Sequence, residues 1–185
     1  MDRRSLLGGL VLAGATPLIL AQSGRTAAAA TTATMPDLAS VKMAPDFYAG
    51  VLWRAELSLA TSQIAVGAVQ NKNAKEFAGF ELGEAITVNA VLKDLGATAS
   101  AMDAAAMAKL EKIKAAKGAE LDAAYIALQL KNHEQLCDLA DAYLHNSAGA
   151  TDPAEKEGRH LGMLTLAVFK EHVAICTRIL GELKA

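Results

Sequence analysis

The absence of helix breakers over most of the chain constrains the fold more than any other feature. From Asp46 to the end, the sequence is rich in Ala, Leu, Glu and Lys, and proline occurs only once more, at Pro153. Such a composition without internal prolines is typical of long α-helices. No stretch shows the polar–apolar alternation of a half-buried strand. The sequence therefore predicts an all-α fold.

Apolar spacing and turn signals divide this region into four long helices and one short one. The long helices are predicted over about residues 46–70, 74–95, 120–146 and 152–183, and the short one over about 102–116. Ser100 is predicted to cap the short helix and Gly118 to end it. Asp152 is predicted to cap the last helix, with Pro153 in its first turn and Glu155 completing a capping box.

The lengths of the connections predict how these helices are arranged. Tight turns join the first long helix to the second and the third to the fourth, so each pair is antiparallel. Residues 96–119 are numerous enough to run the length of a bundle, so the second and third long helices can be parallel. A four-helix bundle with one long crossover, here carrying the short extra helix, has ferritin-like topology.

The first 30 residues have the composition of an export signal. Arg3 and Arg4 precede an apolar run from Leu6 to Leu20, and alanines at 28–30 supply a cleavage pattern. The paired arginines resemble a twin-arginine signal, with an ordinary secretory signal as the alternative. Residues 31–45 are predicted to be a flexible leader to a bundle domain at 46–185. We therefore expect a periplasmic protein, held at the membrane only if the signal is retained.

Charge and motif content narrow the function classes. The chain has 18 basic and 20 acidic residues, a net charge of −2, and no basic run, which argues against nucleic acid as a partner. It contains no Gly-x-Ser-x-Gly, no phosphate-binding glycine loop and no Cys-x-x-Cys-His. The sequence therefore favours a non-enzymatic role, and a homo-oligomer is left open.

Two histidines each precede a cysteine by four residues, at His133–Cys137 and His172–Cys176. If the end of the third long helix is level with the start of the fourth, the two cysteines differ in height by roughly 20 Å. A disulfide requires Cα atoms within about 7 Å. We therefore predict two separate buried thiols, neither a disulfide nor a shared Cys2His2 site. The same count puts the two histidines about 9 Å apart in height.

Polar residues also occur on the helix faces predicted to point inward. Buried polar groups require partners, so these side chains are predicted to meet in one core network. Its members are Glu56, Asn89, Tyr125, Gln129, His133 and His172.

Three segments, "RAELSLATSQIA", "GAELDAAYIALQLKNHE" and "FKEHVAICTRIL", resemble the exported bacterial ferritin-like family described as domain of unknown function 4142. The resemblance spans about residues 46–183. The residues that match the family's helix-three pattern are Gly118, Asp122, Tyr125, Gln129 and His133, and Glu56, Asn89 and His172 match its positions on the other three long helices. It adds Asp122 to the core network.

The chain departs from that family pattern in two places. Glu84-Ala85 stands where the family has Asp-His, and Leu166-Ala167 stands where it has Leu-Pro. The first departure removes an imidazole, which weakens any metal site that would use it.

Two functions remain open at this point. In the first, the protein has a binding or structural role in the cell envelope, and the network fixes helix register. In the alternative, Glu56, Glu84, His133 and His172 hold Fe, Mn or Zn in a mononuclear or degenerate dinuclear site. A full di-iron centre needs two Glu-x-x-His motifs, and the chain has only Glu157–His160. An inward-pointing Glu84 beside Glu56 would favour the metal site.

Overall fold

A computed structural model describes residues 32–33 and 36–184, and these form an all-helical fold, which confirms the predicted class. Its helices are α1 (Ala44–Ala68), α2 (Lys72–Asp94), α3 (Ala104–Ala115), α4 (Gly118–Asn146) and α5 (Pro153–Glu182), with a 3-10 turn at Leu38–Ser40. A two-residue parallel pairing joins β1 (Thr32–Ala33) to β2 (Ala101–Met102) and was not predicted. The predicted export signal, 1–30, lies outside the described residues.

Hydrogen bonds at one end of the molecule bring four helix ends together. Asp122, in the first turns of α4, accepts hydrogen bonds from the backbone N–H groups of Gln70 and Asn71 in the α1–α2 turn, at 2.8 and 2.9 Å. Asn73, near the start of α2, donates to Glu182 at the end of α5, at 2.6 Å. α2 and α4 therefore begin at the same end, where α1 and α5 finish.

The opposite end is joined by Glu155. Its carboxylate, in the first turn of α5, accepts the backbone N–H of Ala44 at the start of α1, with N–O distances of 2.8 and 3.0 Å. α2 and α4 also finish at this end, so residues 95–117, which include α3, return along the length of the domain. α3 packs against α1 and α4 on the way.

The height of α5 beside α4 differs from the prediction. Arg159 donates to the Leu144 carbonyl at 2.6 Å and to the Ser147 hydroxyl at 2.7 Å, whereas the sequence count placed Arg159 level with Ala140. The difference arises because residues 147–152 advance along the helix axis before α5 begins, about one to two helical turns. His133 and His172 therefore come level and touch.

One helix cap and one capping box also differ from the prediction. Asp103, not Ser100, caps α3, and its carboxylate accepts the Ala106 N–H at 2.7 Å. Asp152 caps α5 as predicted. Glu155 does not complete a capping box, because its carboxylate is engaged by Ala44 on α1.

Part of the predicted leader is in contact with the helices. The Asn146 side chain at the end of α4 donates to the carbonyls of Leu38 and Val41, at 2.9 and 3.0 Å. Val41 is completely buried in the core. Over the described residues, no helix combines the length and the apolar character needed to cross a membrane.

The helices do not pack equally closely all round. α1 packs extensively against α2 and α4, and α4 packs against α5, whereas α2 and α5 approach each other at few points. Two large apolar clusters fill most of the interior, one around Phe47 and Tyr143, whose ring centroids are 4.7 Å apart, and the other around Phe77 and Tyr125. A third, smaller cluster contains Trp53, Leu57 and Ala106. A group of buried polar residues lies between the two large clusters.

Candidate functional site

Three buried side chains from three helices meet at the centre of the molecule. Glu81 comes from α2, His133 from α4 and His172 from α5, and they are 3, 1 and 7% exposed. Glu81 Oε2 lies 3.3 Å from His133 Nε2 and 3.0 Å from His172 Nδ1, and these two nitrogens are 3.1 Å apart. Three potential metal-ligand atoms therefore form a nearly equilateral triangle.

Neighbouring groups fix which nitrogen of each ring faces the triangle. His133 Nδ1 lies 2.8 Å from the backbone carbonyl oxygen of Gln129. Because a carbonyl oxygen can only accept a hydrogen bond, Nδ1 carries a proton, and Nε2 faces Glu81 and His172. His172 Nε2 lies 3.2 Å from Glu84 Oε2, which favours a proton there and leaves Nδ1 toward the triangle. In their neutral forms, both rings therefore direct an electron pair at Glu81.

Such an arrangement requires a positive charge at its centre. Glu81 Oε2 has no hydrogen-bond partner among the described residues, although it is buried and lies close to both imidazoles. A protonated imidazole or a metal ion would supply the missing charge.

The pKa shifts show how the protein behaves without an ion. Burial alone would raise the pKa of Glu81, but the positive charges of His133 and His172 beside it outweigh burial and lower that pKa. Burial would lower the pKa of His133, and Glu81 together with the Gln129 carbonyl outweighs it and raises that pKa. For Glu84, burial prevails and raises the pKa. Without an ion, these shifts favour an ionised Glu81 beside a protonated His133.

Aromatic rings and a small cavity complete the surroundings. Phe77 lies edge-on to the His172 ring at 5.2 Å, and Phe169 lies 6.0 Å from the His133 ring. Beside Glu81 and His133 is a cavity of about 10 Å³, also bordered by Ser58 and Glu84. That volume suits a single water molecule.

Three residues of the predicted network lie away from this triangle. Glu56 is only partly buried and pairs with Lys93 at 3.0 Å. Asn89 is buried, but its amide donates to the Ala85 carbonyl of its own helix at 2.7 Å. Asp122 bridges to the α1–α2 turn, as described above. A Glu84 that points inward beside Glu56 would have favoured the metal set predicted from the sequence. Instead, Glu84 contacts His172 and Glu56 pairs with Lys93.

Tyr125 and Gln129 belong to a second polar network between α1 and α4. The Tyr125 hydroxyl lies 2.8 Å from Ser62 Oγ, and Gln129 Oε1 accepts a hydrogen bond from Ser58 at 2.9 Å. The Gln129 amide donates to Thr61 Oγ1 at 3.2 Å. Because the Gln129 carbonyl also accepts from His133, this residue joins the second network to the triangle.

Glu81 is central to the site, but the core network and the metal-ligand set predicted from the sequence did not include it. A signal for it was present, because Glu81, Ala85 and Asn89 are spaced by four and share the buried face of α2. The predicted network took Asn89 from this face and left out Glu81. Glu84, three residues after Glu81 on the same helix, contacts the other nitrogen of the His172 ring, Nε2.

Arg54 and Asn132 were also missed, although Arg54, Ser58 and Ser62 repeat at intervals of four on α1. Arg54 is 1% exposed and donates to Asn132 at 3.1 Å and to Gln135 at 2.7 Å. Burial lowers the pKa of its guanidinium to about 10.

The remaining candidate side chains lie outside the site. Glu157, His160 and His145 are exposed. Cys137 and Cys176 are free thiols that pack against different apolar clusters.

A family model described as Domain of unknown function (DUF4142) matches residues 22–155. The chain belongs to this family. The DUF4142 match includes Glu81, Glu84 and His133 and stops before His172, which α5 contributes. Neither the comparison with curated proteins nor the comparison with solved structures gave a match.

Proposed function

We propose that this DUF4142 protein binds one divalent transition-metal ion through Glu81, His133 and His172. The observation that carries the proposal is the triangle of donor atoms from three helices, with sides of 3.0, 3.1 and 3.3 Å. Of the two functions that the sequence left open, this is the metal-binding one. Its ligand set contains Glu81 and does not use Glu56.

The donor spacing fits a single ion. Donors bound to one first-row ion at about 2.0–2.2 Å stand about 3.0–3.5 Å apart, depending on the coordination geometry. Two imidazoles and one carboxylate are a ligand set used for Zn²⁺ and for non-haem Fe²⁺. Zn²⁺ is therefore the first ion to test, followed by Fe²⁺ and Mn²⁺.

The second layer of contacts also suits metal ligation. Metal-bound histidines usually donate their other N–H to a carbonyl or carboxylate, which holds the ring in place. The Gln129 carbonyl is positioned to do this for His133, and Glu84 for His172. Three protein ligands leave coordination positions free, and the 10 Å³ cavity beside them suits one water molecule.

The wider assignment is to an exported ferritin-like four-helix bundle acting in the periplasm. Its support is the run of α1, α2, α4 and α5, the long return segment carrying α3, and the signal-like composition of residues 1–30. Ferritin-like proteins build metal sites between facing helices. Because Glu56 pairs with Lys93, we propose a mononuclear centre and not a dinuclear one.

The test is metal stoichiometry. The full-length protein would be purified without chelators, dialysed against low-micromolar Zn²⁺, Fe²⁺ or Mn²⁺, and measured by elemental analysis. We expect one ion per chain in the wild type, and loss of that ion in Glu81→Gln, His133→Ala and His172→Gln. Absorption bands of a Co²⁺-loaded sample would report nitrogen and oxygen ligation.

His145→Gln and His160→Gln are matched controls, because both histidines are exposed and lie outside the triangle. Each should keep the full complement of metal. Only trace metal in the wild type, or unchanged metal in Glu81→Gln and His172→Gln, would overturn the proposal.

A further inference from the structure

A second, larger cavity lies along the sparse contact between α2 and α5, next to the proposed metal site. Its volume is about 330 Å³, which falls at the lower end of the range of about 300–1,000 Å³ typical of small-molecule pockets. Most of its wall is aliphatic or aromatic, with side chains such as Phe47, Val88, Leu92, Leu161 and Val168. The cavity is therefore shaped for a small apolar ligand.

Polar side chains are few among the described residues of this wall. The hydroxyls of Thr87 and Thr165 donate to carbonyls of their own helices, each at 2.9 Å. Glu84 is the one ionisable residue among the described side chains that line the cavity. Its Oε2 faces His172, so Oε1 is the carboxylate oxygen open to a ligand.

The rim of the cavity is also apolar. Leu164 on α5 is 66% exposed and Val91 on α2 is 41% exposed, and both line the opening. Water gains few hydrogen bonds in such a space, and cavities of this character readily accept apolar molecules. An occupant that satisfies the whole wall would combine an apolar body with one group that complements a carboxylate.

We propose that this cavity binds a single-chain aliphatic molecule with a primary ammonium head, with the chain against the apolar wall and the head paired with Glu84. A carboxylate head would face a like charge. This site goes beyond the proposed metal binding and does not require an ion. The two proposals can therefore fail separately.

The test is calorimetric titration of the full-length protein, in the presence of a chelator, with decylammonium, 1-decanol and decanoate below their micelle concentrations. We expect one decylammonium per chain, bound at least about tenfold more tightly than decanoate, because the ammonium head pairs with the Glu84 carboxylate and the decanoate head faces a like charge. Decanol should bind with intermediate affinity. Glu84→Gln should reduce decylammonium binding to the level of decanol.

Val91→Trp would narrow the opening, and Val91 is exposed enough for the larger ring to leave folding intact. We expect it to abolish binding of all three probes. Ile86→Trp is the matched control, since Ile86 is 53% exposed on the same helix and does not line the cavity.

Several results would overturn the proposal. These are no binding of decylammonium to the wild type, decanoate binding as tightly as decylammonium, and a Val91→Trp variant that binds like the wild type. Self-association of the wild type that Val91→Trp abolishes would instead assign this surface to a second copy of the chain, and would also overturn the proposal.

Discussion

At the scale of single residues, Glu81 determines the behaviour of the two histidines. Its carboxylate is buried within 3.3 Å of both rings. Removing its charge would leave His133 flanked by Phe77 and Phe169, with the Gln129 backbone carbonyl and the weaker influence of Glu84 to favour protonation. A buried imidazole without a counter-charge prefers its neutral form.

We therefore predict that Glu81→Gln reverses the direction of the His133 pKa shift in the metal-free protein. In the wild type, Glu81 raises that pKa against the effect of burial. In the variant, burial should prevail and bring the pKa below the ordinary value of about 6.5. Titration of the imidazole proton resonances by NMR would measure both.

Glu157→Gln serves as the comparison, because Glu157 is exposed on α5. It should leave the His133 titration unchanged. A raised His133 pKa that persists in Glu81→Gln would show that another group supplies the counter-charge.

The sequence predicted some of the residues of this site but not all of them. It placed His133 and His172 on inward faces because each falls on an apolar stripe, and the structure brings them together. It could not predict that Glu56 pairs with Lys93, since a half-turn of the helix decides whether a glutamate at the edge of a stripe faces the core or a lysine. It left out Glu81 because an isolated carboxylate on a buried face has no local partner in sequence.

At the scale of helices, close approach depends on glycine in α5. A Cβ atom at Gly158 would lie 2.6 Å from both the Ala44 Cβ and the Tyr143 hydroxyl. Those contacts belong to α1 and α4, so α5 packs closely against both helices at Gly158. Neither neighbour can easily move, because Glu155 accepts hydrogen bonds from the Ala44 N–H and the Tyr143 hydroxyl.

We predict that Gly158→Ala destabilises the protein by about 1–3 kcal/mol, the usual effect of overpacking a rigid contact. Gly181→Ala, on the same helix, places its Cβ in open space. It should be neutral or stabilise by up to about 1 kcal/mol, because alanine favours helix. Urea denaturation of the two variants would give both values. Equal stability in the two variants would contradict the close approach.

The helices themselves were predictable, and their relative height was not. Every predicted boundary falls within two residues of the observed one, since apolar spacing and the Asp152 cap are local signals. The height of α5 beside α4 depends on the path of residues 147–152, where Ser147 is fixed by Arg159 from the following helix. A contact of that kind cannot be deduced from the connecting residues alone.

At the scale of the whole molecule, the triangle joins α2, α4 and α5, so its charge state affects overall stability. Without metal, an ionised Glu81 stabilises the fold at pH values above its unfolded-state pKa of about 4.5. This contribution is lost only when the pH falls through the lowered pKa of Glu81 in the folded state. A protonated His133 stabilises the fold below about pH 6.5, and this contribution is lost as pH rises through its raised folded value.

We therefore predict opposite pH trends with and without metal. In chelator, the contribution of this pair is greatest between about pH 4.5 and 6.5 and declines at higher pH. With saturating Zn²⁺, the melting temperature should rise relative to the chelated sample as pH increases, because metal binds only deprotonated imidazoles. Thermal melts at several pH values from about 5.5 to 8, with each additive, would measure the difference.

Glu81→Gln should remove this divergence, since it eliminates both the ion pair and a ligand. A gap between the two melting temperatures that stays constant over the pH range in the wild type would contradict the prediction.

The sparse contact between α2 and α5 should affect how fast ligands enter and leave the protein. In the middle of this contact, His172 on α5 forms polar interactions with Glu81 and Glu84 on α2. The His172 ring thus faces the proposed ion with its Nδ1 atom. Its Nε2 atom faces the Glu84 carboxylate, which borders the apolar cavity. Release of the ion would free His172 to change rotamer, and the two helices could then separate more often. Guest molecules should accordingly exchange faster in chelated protein than in metal-loaded protein, and a resident guest should in turn slow the departure of the ion.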